Sequence, residues 1–478
     1  MTAVMTDADQ PAERVPLVDP RTERLLGETP LLPPSGVDRV ARVAAAAFRR
    51  WADVTVGERC YRVREMACLL EESIPEVATA FSREHGKTEA EAAMEVARAV
   101  DTLRWSADEA ERATAATPLP ERAGMVREVL VDPAGPVLAI VPWNFPAVVL
   151  ARKLGPALVM GCSVVVKAAD ETPSVTDAFA VAARQAGLPE GTVQVVHAAP
   201  EVADALVRRR EFGAVSFTGS ARVGRLVAAG AASTSTPCVL ELGGHAPVIV
   251  TADADLDAAV AALVAVKFSS AGQSCGAPSR FLVDRRVHAQ FVERFTALAP
   301  ACDYERDSGG RPGTMGPLNN ARRRAEVHKL VLDAVHRGAR IRLGGRLPDT
   351  AGYYYPATVL TDVPVGARIL KEEPFGPLAP VVAYDDDRQA VELANEGDYA
   401  LAAYVFGEPD HARRLGVDVD AGSVSVNFAA GAVPDAPLGG RRTSGYGYEG
   451  GVPGLLAFGR LKTLQCRVPD SAGLEACT

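Results

Sequence analysis

The chain has 478 residues, 48% hydrophobic and 23% charged, with a formal charge of −9. That length exceeds what one hydrophobic core serves and points to roughly two to four structural units. The acidic balance argues against nucleic acid or an anionic membrane as a partner, since both call for a basic patch.

The opening stretch "MTAVMTDADQPAERV" lacks a cationic start followed by an apolar core, so no secretion signal is expected. Residues 36–115 repeat apolar positions every three and four residues, as in "VDRVARVAAAAFRRW", and predict helices. After "TPLPERAG" come two β-rich runs split by the turn "DPAG". The most apolar span, 147–166, is interrupted by Arg152, Lys153 and Pro156, which excludes a membrane helix there.

From there strand-like runs recur at 137–144, 163–169, 192–198, 214–220 and 238–244, with helical stretches between them. This alternation predicts a parallel, doubly wound sheet with right-handed crossovers. Ligands in such sheets sit beyond the carboxyl ends of the strands. Asn144, Lys167, Ser220 and Glu241 fall at those ends. A second α/β series runs from about 246 to 450, and the tail "LLAFGRLKTLQCRV" reads as a strand whose apolar edge invites a second subunit. The eight cysteines are scattered without paired spacing, which reads as reduced thiols in the cytoplasm. The seven histidines are isolated, so no metal is expected.

Three residues can carry chemistry. Cys275 lies in "SSAGQSCG", where small neighbours leave a thiol open to a ligand, although a free cysteine is most often an inert core residue. Glu241 interrupts the apolar run "CVLELGG", where a carboxylate is costly to desolvate unless paired or used as a base. Asn144 is clamped between prolines in "PWNFP", a rigid amide that suits oxyanion stabilisation or, equally, a turn. "FTGSARVG" places a strand end before a helix start, a setting for phosphate. "GYGYEG" at 445–450 fits the dinucleotide fingerprint by letter, but no strand is expected before it and no helix after it.

Taken together, "PWNFP", "VVVKAADETP", "FTGS", "ELGG", "GQSC", "EEPFGP" and "PLGGRRTSG" resemble the NAD(P)-dependent aldehyde dehydrogenases over nearly the whole chain. The closest likeness is to the succinate-semialdehyde subgroup. Thirty-four residues separate Glu241 from Cys275, as in that family. The resemblance implies an α/β fold with a Rossmann-type cofactor domain (1–113 and 134–244), an α/β catalytic domain (245–450) and a small β oligomerisation element (114–133 and 451–478). It implies that Cys275 attacks an aldehyde, Asn144 and the Cys275 backbone N–H hold the oxyanion, and Glu241 activates water to release a carboxylic acid. Lys167 would bind the adenosine ribose, Ser220 the pyrophosphate and Glu373 the nicotinamide ribose, with Trp143, Gly219, Leu242 and Phe375 completing the cofactor site. Asp170 stands where NAD-preferring members carry Glu, so NAD is favoured over NADP.

Several positions depart from the family pattern: Ser270, His245, Leu438 and Arg442. Arg152 matches a subgroup arginine for a substrate carboxylate, but a second expected arginine is Ser269 and an expected serine is missing near Ala432 and Val433. Phe428 and Val433 would line a more apolar tunnel. The alternatives are an acylating, coenzyme A-dependent dehydrogenase, a silent NAD-binding protein of the same fold, and a plain thiol hydrolase. A homodimer or homotetramer is expected.

Overall fold

The computed structural model describes residues 13–122, 125–302, 315–429 and 431–467. Four helices lead: α1 (Val37–Ala52), α2 (Val56–Glu72), α3 (Ile74–His85) and α4 (Glu89–Thr114). The start of α4 is fixed by a capping box between Thr88 and Glu91, which satisfies orphan amides at both positions. Its residues Ala92, Val96, Ala99, Val100, Leu103 and Ala107 are buried, so one stripe of the helix faces the core.

Helices α5 (Pro146–Val159), α6 (Pro173–Gln185), α7 (Pro200–Val207) and α8 (Ala221–Ala232) alternate with strands of a six-stranded sheet. The first three begin on proline, which costs nothing where the first-turn N–H has no partner. Across the sheet the order is Gly445–Tyr446, Cys238–Glu241, Ala214–Thr218, Val137–Ile140, Val164–Lys167 and Val193–Val196. The last five are parallel; Gly445–Tyr446 joins the edge antiparallel.

A seven-stranded sheet between 246 and 426 forms the second half, flanked by α9 (Leu256–Phe268), α10 (Arg285–Leu298) and α11 (Ala321–His336). Its core centres on Phe268, Phe281, Phe291 and Phe295, whose rings meet one another. A third sheet is antiparallel: Thr117–Arg122, Met125–Pro133 and Gly459–Arg467, the last lying at its edge. Among the described residues, no helix is long and apolar enough to cross a membrane.

The observed strands are shorter than the apolar runs. The strand in the run at 137–144 ends at Ile140, and pairing stops after the Val141 amide donates to the Lys167 carbonyl at 3.1 Å, just before Pro142 and its missing N–H. Within the expected tail strand, Leu455 and Leu456 close a short helix (Gly451–Leu456) instead, and Leu455 and Phe458 are buried in the first core. The context expected for "GYGYEG" also needs correction. A two-residue strand (Arg441–Arg442) precedes it, Gly445–Tyr446 is itself a strand, and a six-residue helix follows.

Candidate active site

Cys275 reaches its position through an unusual backbone. Ser270 and Ala271 adopt left-handed conformations (φ 50° and 54°), followed by Gly272 at φ 70°. A Cβ on Gly272 would stand 2.3 Å from the Gly376 carbonyl oxygen, so only glycine fits there. Gln273, fully buried, staples the loop: its Nε2 donates to the Ser270 carbonyl at 3.0 Å and its Oε1 accepts from the Asn319 amide at 2.9 Å. Tyr404 donates its hydroxyl hydrogen to the Gly276 carbonyl at 2.8 Å. From the opposite side, Gly244 of "ELGG" packs so closely that a Cβ would lie 2.1 Å from the Cys275 carbonyl oxygen.

Asn144 sits at the start of α5, and its side-chain amide donates to the Gln273 carbonyl at 3.0 Å. An amide carries two N–H donors, so one remains for a ligand. The Asn144 carbonyl accepts from Lys87 Nζ at 3.2 Å. Lys87 is itself buried in an ion pair with Glu95 of α4, whose other oxygen caps the Ala147 amide at 2.9 Å. A buried pair of this kind holds geometry when every lone pair is used.

Cys275, Asn144, Trp143, Gly219, Ser220, Leu242, Glu373 and Phe375 line one cavity of about 340 Å³. Asn320, Arg322, Arg323 and Glu326, at the start of α11, complete its wall. Sequence reading missed those four, which sit in an ordinary charged helix with no motif to mark them. The first turn of α8 opens at this cavity, with Ser220 Oγ accepting from the Val223 amide at 3.4 Å. Glu373 accepts from the Gly244 amide at 2.9 Å, and burial pushes its carboxyl up to about 7. Helix-terminal amides, arginines and the Glu373 carboxylate form a polar set that fits a pyridine dinucleotide.

Lys167 and Asp170 lie outside that cavity. Asp170 Oδ1 meets Lys167 Nζ at 3.5 Å and His197 Nδ1 at 3.3 Å. Burial alone would raise the Asp170 carboxyl, but the His197 hydrogen bond and the Lys167 charge outweigh it and hold it low.

Glu241 also lies outside the lining, at the end of its strand, 4% exposed and with Oε1 unpartnered. Burial first, then the Glu449 carboxylate, push its carboxyl well above the usual range; Lys153 and Arg152 oppose this. Lys153 of α5 is buried in an ion pair with Glu449 and also donates to Ser216 Oγ at 2.9 Å and Thr218 Oγ1 at 2.8 Å. Burial, then the Glu373 and Glu241 carboxylates, push the Cys275 thiol up to about 12, with Arg152 pulling it back.

Arg152 of α5 is 6% exposed; its Nη2 donates to the Ala432 carbonyl at 2.8 Å and its buried Nε has no partner. Phe428 and Val433 are about half exposed and do not line the cavity. "GYGYEG" does not line it either; the strand inside it covers the edge beside Glu241. Neutral His245 is buried and bonded to the Ile369 carbonyl at 3.1 Å, its ring pushed far below the usual range by burial. No group of three or more metal-ligating side chains occurs among the described residues.

A model of the aldehyde dehydrogenase family matches residues 5–464. The chain belongs to the aldehyde dehydrogenase family. This aldehyde dehydrogenase is 41% identical over 451 residues, 93% of each chain, to 4-(hydroxymethyl)benzenesulfonate dehydrogenase TsaD1 of Comamonas testosteroni. It is 35% identical over 463 residues to the glutarate-semialdehyde dehydrogenase of Pseudomonas aeruginosa, covering 96% of this chain and 95% of that one. The crystal structure of succinate-semialdehyde dehydrogenase from Burkholderia pseudomallei superposes with a TM-score of 0.92 at 36% identity, covering 97% and 95% of the two chains. The enzyme is an NAD(P)-dependent oxidoreductase that converts an aldehyde to a carboxylic acid.

Proposed function

We propose that Cys275 is the nucleophile, Asn144 the oxyanion donor and Glu241 the base of this aldehyde dehydrogenase. The observation that carries this is the meeting of Cys275 and Asn144 in one cavity, with the Glu241 carboxyl, whose Oε1 has no partner, close enough to act on the same sulfur. The Cys275 sulfur attacks the aldehyde carbon as its proton passes to the Glu241 carboxylate, forming a thiohemiacetal oxyanion; Glu241 returns that proton to solvent before hydrolysis. The free N–H of Asn144 and the Cys275 amide hold the oxygen as charge builds. Bound NAD or NADP supplies the hydride acceptor, and loss of hydride leaves the acyl group as a thioester on Cys275. Glu241 takes a proton from water, whose oxygen attacks the thioester, and the acid departs with Cys275 restored.

Trp143, Gly219, Ser220, Leu242, Glu373 and Phe375 are assigned to the nicotinamide and pyrophosphate, and Lys167 and Asp170 to the adenosine ribose. An ionised Asp170 repels a 2′-phosphate, which supports NAD as the preferred cofactor. Arg152 supports an aldehyde that bears an anionic group, the class to which the names of the sulfonate and semialdehyde relatives also point. Phe428 and Val433 are assigned to the apolar part of that substrate. The domain division at 1–113 with 134–244, 245–450, and 114–133 with 451–478 is supported by the three largest sheets, of six, seven and three strands. Exposed Leu461, Leu464 and Val126 on the three-stranded sheet support a homodimer or homotetramer, and six free thiols among the described residues support the cytoplasm.

Two variants test the roles. Cys275→Ala abolishes turnover, and Glu241→Gln gives one burst of reduced cofactor with the acyl group trapped on the protein, read by mass spectrometry. Wild-type steady-state rates in either variant, or a strict need for coenzyme A, would refute this assignment.

A further inference from the structure

We propose that Arg98 is a specificity-determining side chain that, with Arg152 deeper in, selects aldehydes whose anionic group lies far from the carbonyl. This rests on the assignment of Cys275 and Arg152 above and extends it to a residue no motif marks.

The argument begins with one face of α4. Glu91 accepts from the Ser270 amide at 2.7 Å and the Ser269 hydroxyl at 3.3 Å, so this face borders the loop that carries Cys275. Met94 and Arg98 follow Glu91 at helical spacings of three and seven and share that face. Further along, Arg98 meets the loop after Asn427: a Cβ on Gly431 would lie 3.7 Å from Arg98 Nη1. The next residue, Ala432, is the one whose carbonyl accepts from Arg152. Two guanidinium groups therefore flank neighbouring loop residues, whose Cα atoms are about 3.8 Å apart.

The two cations differ in setting. Arg152 is buried, acts on the charge of Cys275, and keeps Nε without a partner. Arg98 is exposed, and among the described residues it forms neither an ion pair nor a side-chain hydrogen bond. The nearby carboxylate of the same face, Glu91, is already used by Ser269, Ser270 and the α4 cap. Met94 on the helix and Phe428 and Val433 on the loop are 53%, 55% and 48% exposed, an apolar flank beside the outer cation. A short anionic aldehyde bound at Cys275 is met by Arg152 alone. A longer one, with a ring or chain between carbonyl and anion, lays its apolar middle on Met94 and Phe428 and its charge on Arg98. Arg98 thus takes the place of the second arginine that Ser269 fails to provide, but from another helix and farther out.

The test compares kcat and KM for 4-formylbenzenesulfonate (long, anionic), succinate semialdehyde (short, anionic) and benzaldehyde (neutral) in the wild type, Arg98→Leu and Arg98→Lys. In Arg98→Leu, the kcat/KM ratio of the sulfonate to benzaldehyde falls roughly tenfold, through KM. The ratio for succinate semialdehyde changes less than about twofold, and Arg98→Lys recovers part of the loss. A sulfonate ratio that does not move, or equal losses on both anionic substrates, overturns the role of Arg98. Failure of the underlying assignment reads differently: wild-type enzyme then turns over none of the three, or turns them over without an acyl group on Cys275.

Discussion

Glu449→Gln tests whether the buried charge network sets the base. Lys153 is wholly enclosed and its ammonium group is answered by Glu449, with help from Ser216 and Thr218. Gln keeps the shape and removes the charge. An ammonium left unpaired in the interior costs about 3–5 kcal/mol, and the two hydroxyls keep the cost near the lower end. At about 3 kcal/mol the Tm falls by roughly 3 °C for a chain of this length. The second effect is on Glu241, whose carboxyl is held high by burial and then by Glu449. With that negative neighbour gone and the Lys153 charge uncompensated, Glu241 loses its proton more readily. A downward move of the Glu241 pKa is therefore expected. Hydrolysis by the proposed mechanism requires ionised Glu241, so the acid limb of the steady-state profile shifts to lower pH. The assay is cofactor reduction followed across pH at saturating aldehyde, beside thermal unfolding. An acid limb that stays in place or moves upward refutes the claim that Glu449 holds the proton on Glu241.

Three further outcomes are expected. Asp170→Ala raises the ratio of NADP to NAD kcat/KM by about tenfold, because the carboxylate beside Lys167 and His197 no longer repels a 2′-phosphate; an unchanged ratio counts against Asp170 as the selector. His411 bonds Asp253 at 2.9 Å and Asp387 at 2.8 Å, hydrogen bonds that raise its pKa. Its contribution is therefore complete below the unfolded value of about 6.5 and is lost as pH rises through the folded value, so His411→Gln lowers the Tm more at pH 6 than at pH 9. Leu461 and Leu464, three apart on the edge strand, point to opposite faces of the three-stranded sheet, so Leu461→Asp with Leu464→Asp places charge on both, and light scattering is expected to show a monomer.

Much of the scaffold was legible because local signals agreed. Proline-started helices, continuous Val-rich strands and polar residues at strand ends all specify the doubly wound sheet from nearby letters. The three side chains proposed to react stand out for the same reason, since each interrupts its surroundings: a carboxylate in an apolar run, an amide between prolines, a thiol among small residues. What escaped notice depends on distant pairing. Lys153 and Glu449 lie 296 positions apart and meet only in the folded chain. Lys87 and Glu95 look like surface charges on a helical segment until α5 is laid against them. Arg322 and Arg323 carry no pattern at all, because the direction in which the start of α11 points is a tertiary fact.

The strand Gly445–Tyr446 comes from near the C-terminus yet closes the sheet that begins around residue 137, and the residues around it seat Glu449 on Lys153. During synthesis, the proposed base therefore lacks its neighbour and its cover until residues 445–449 have emerged. A chain that stalls before that point would carry the proposed nucleophile beside a carboxylate not yet set for hydrolysis.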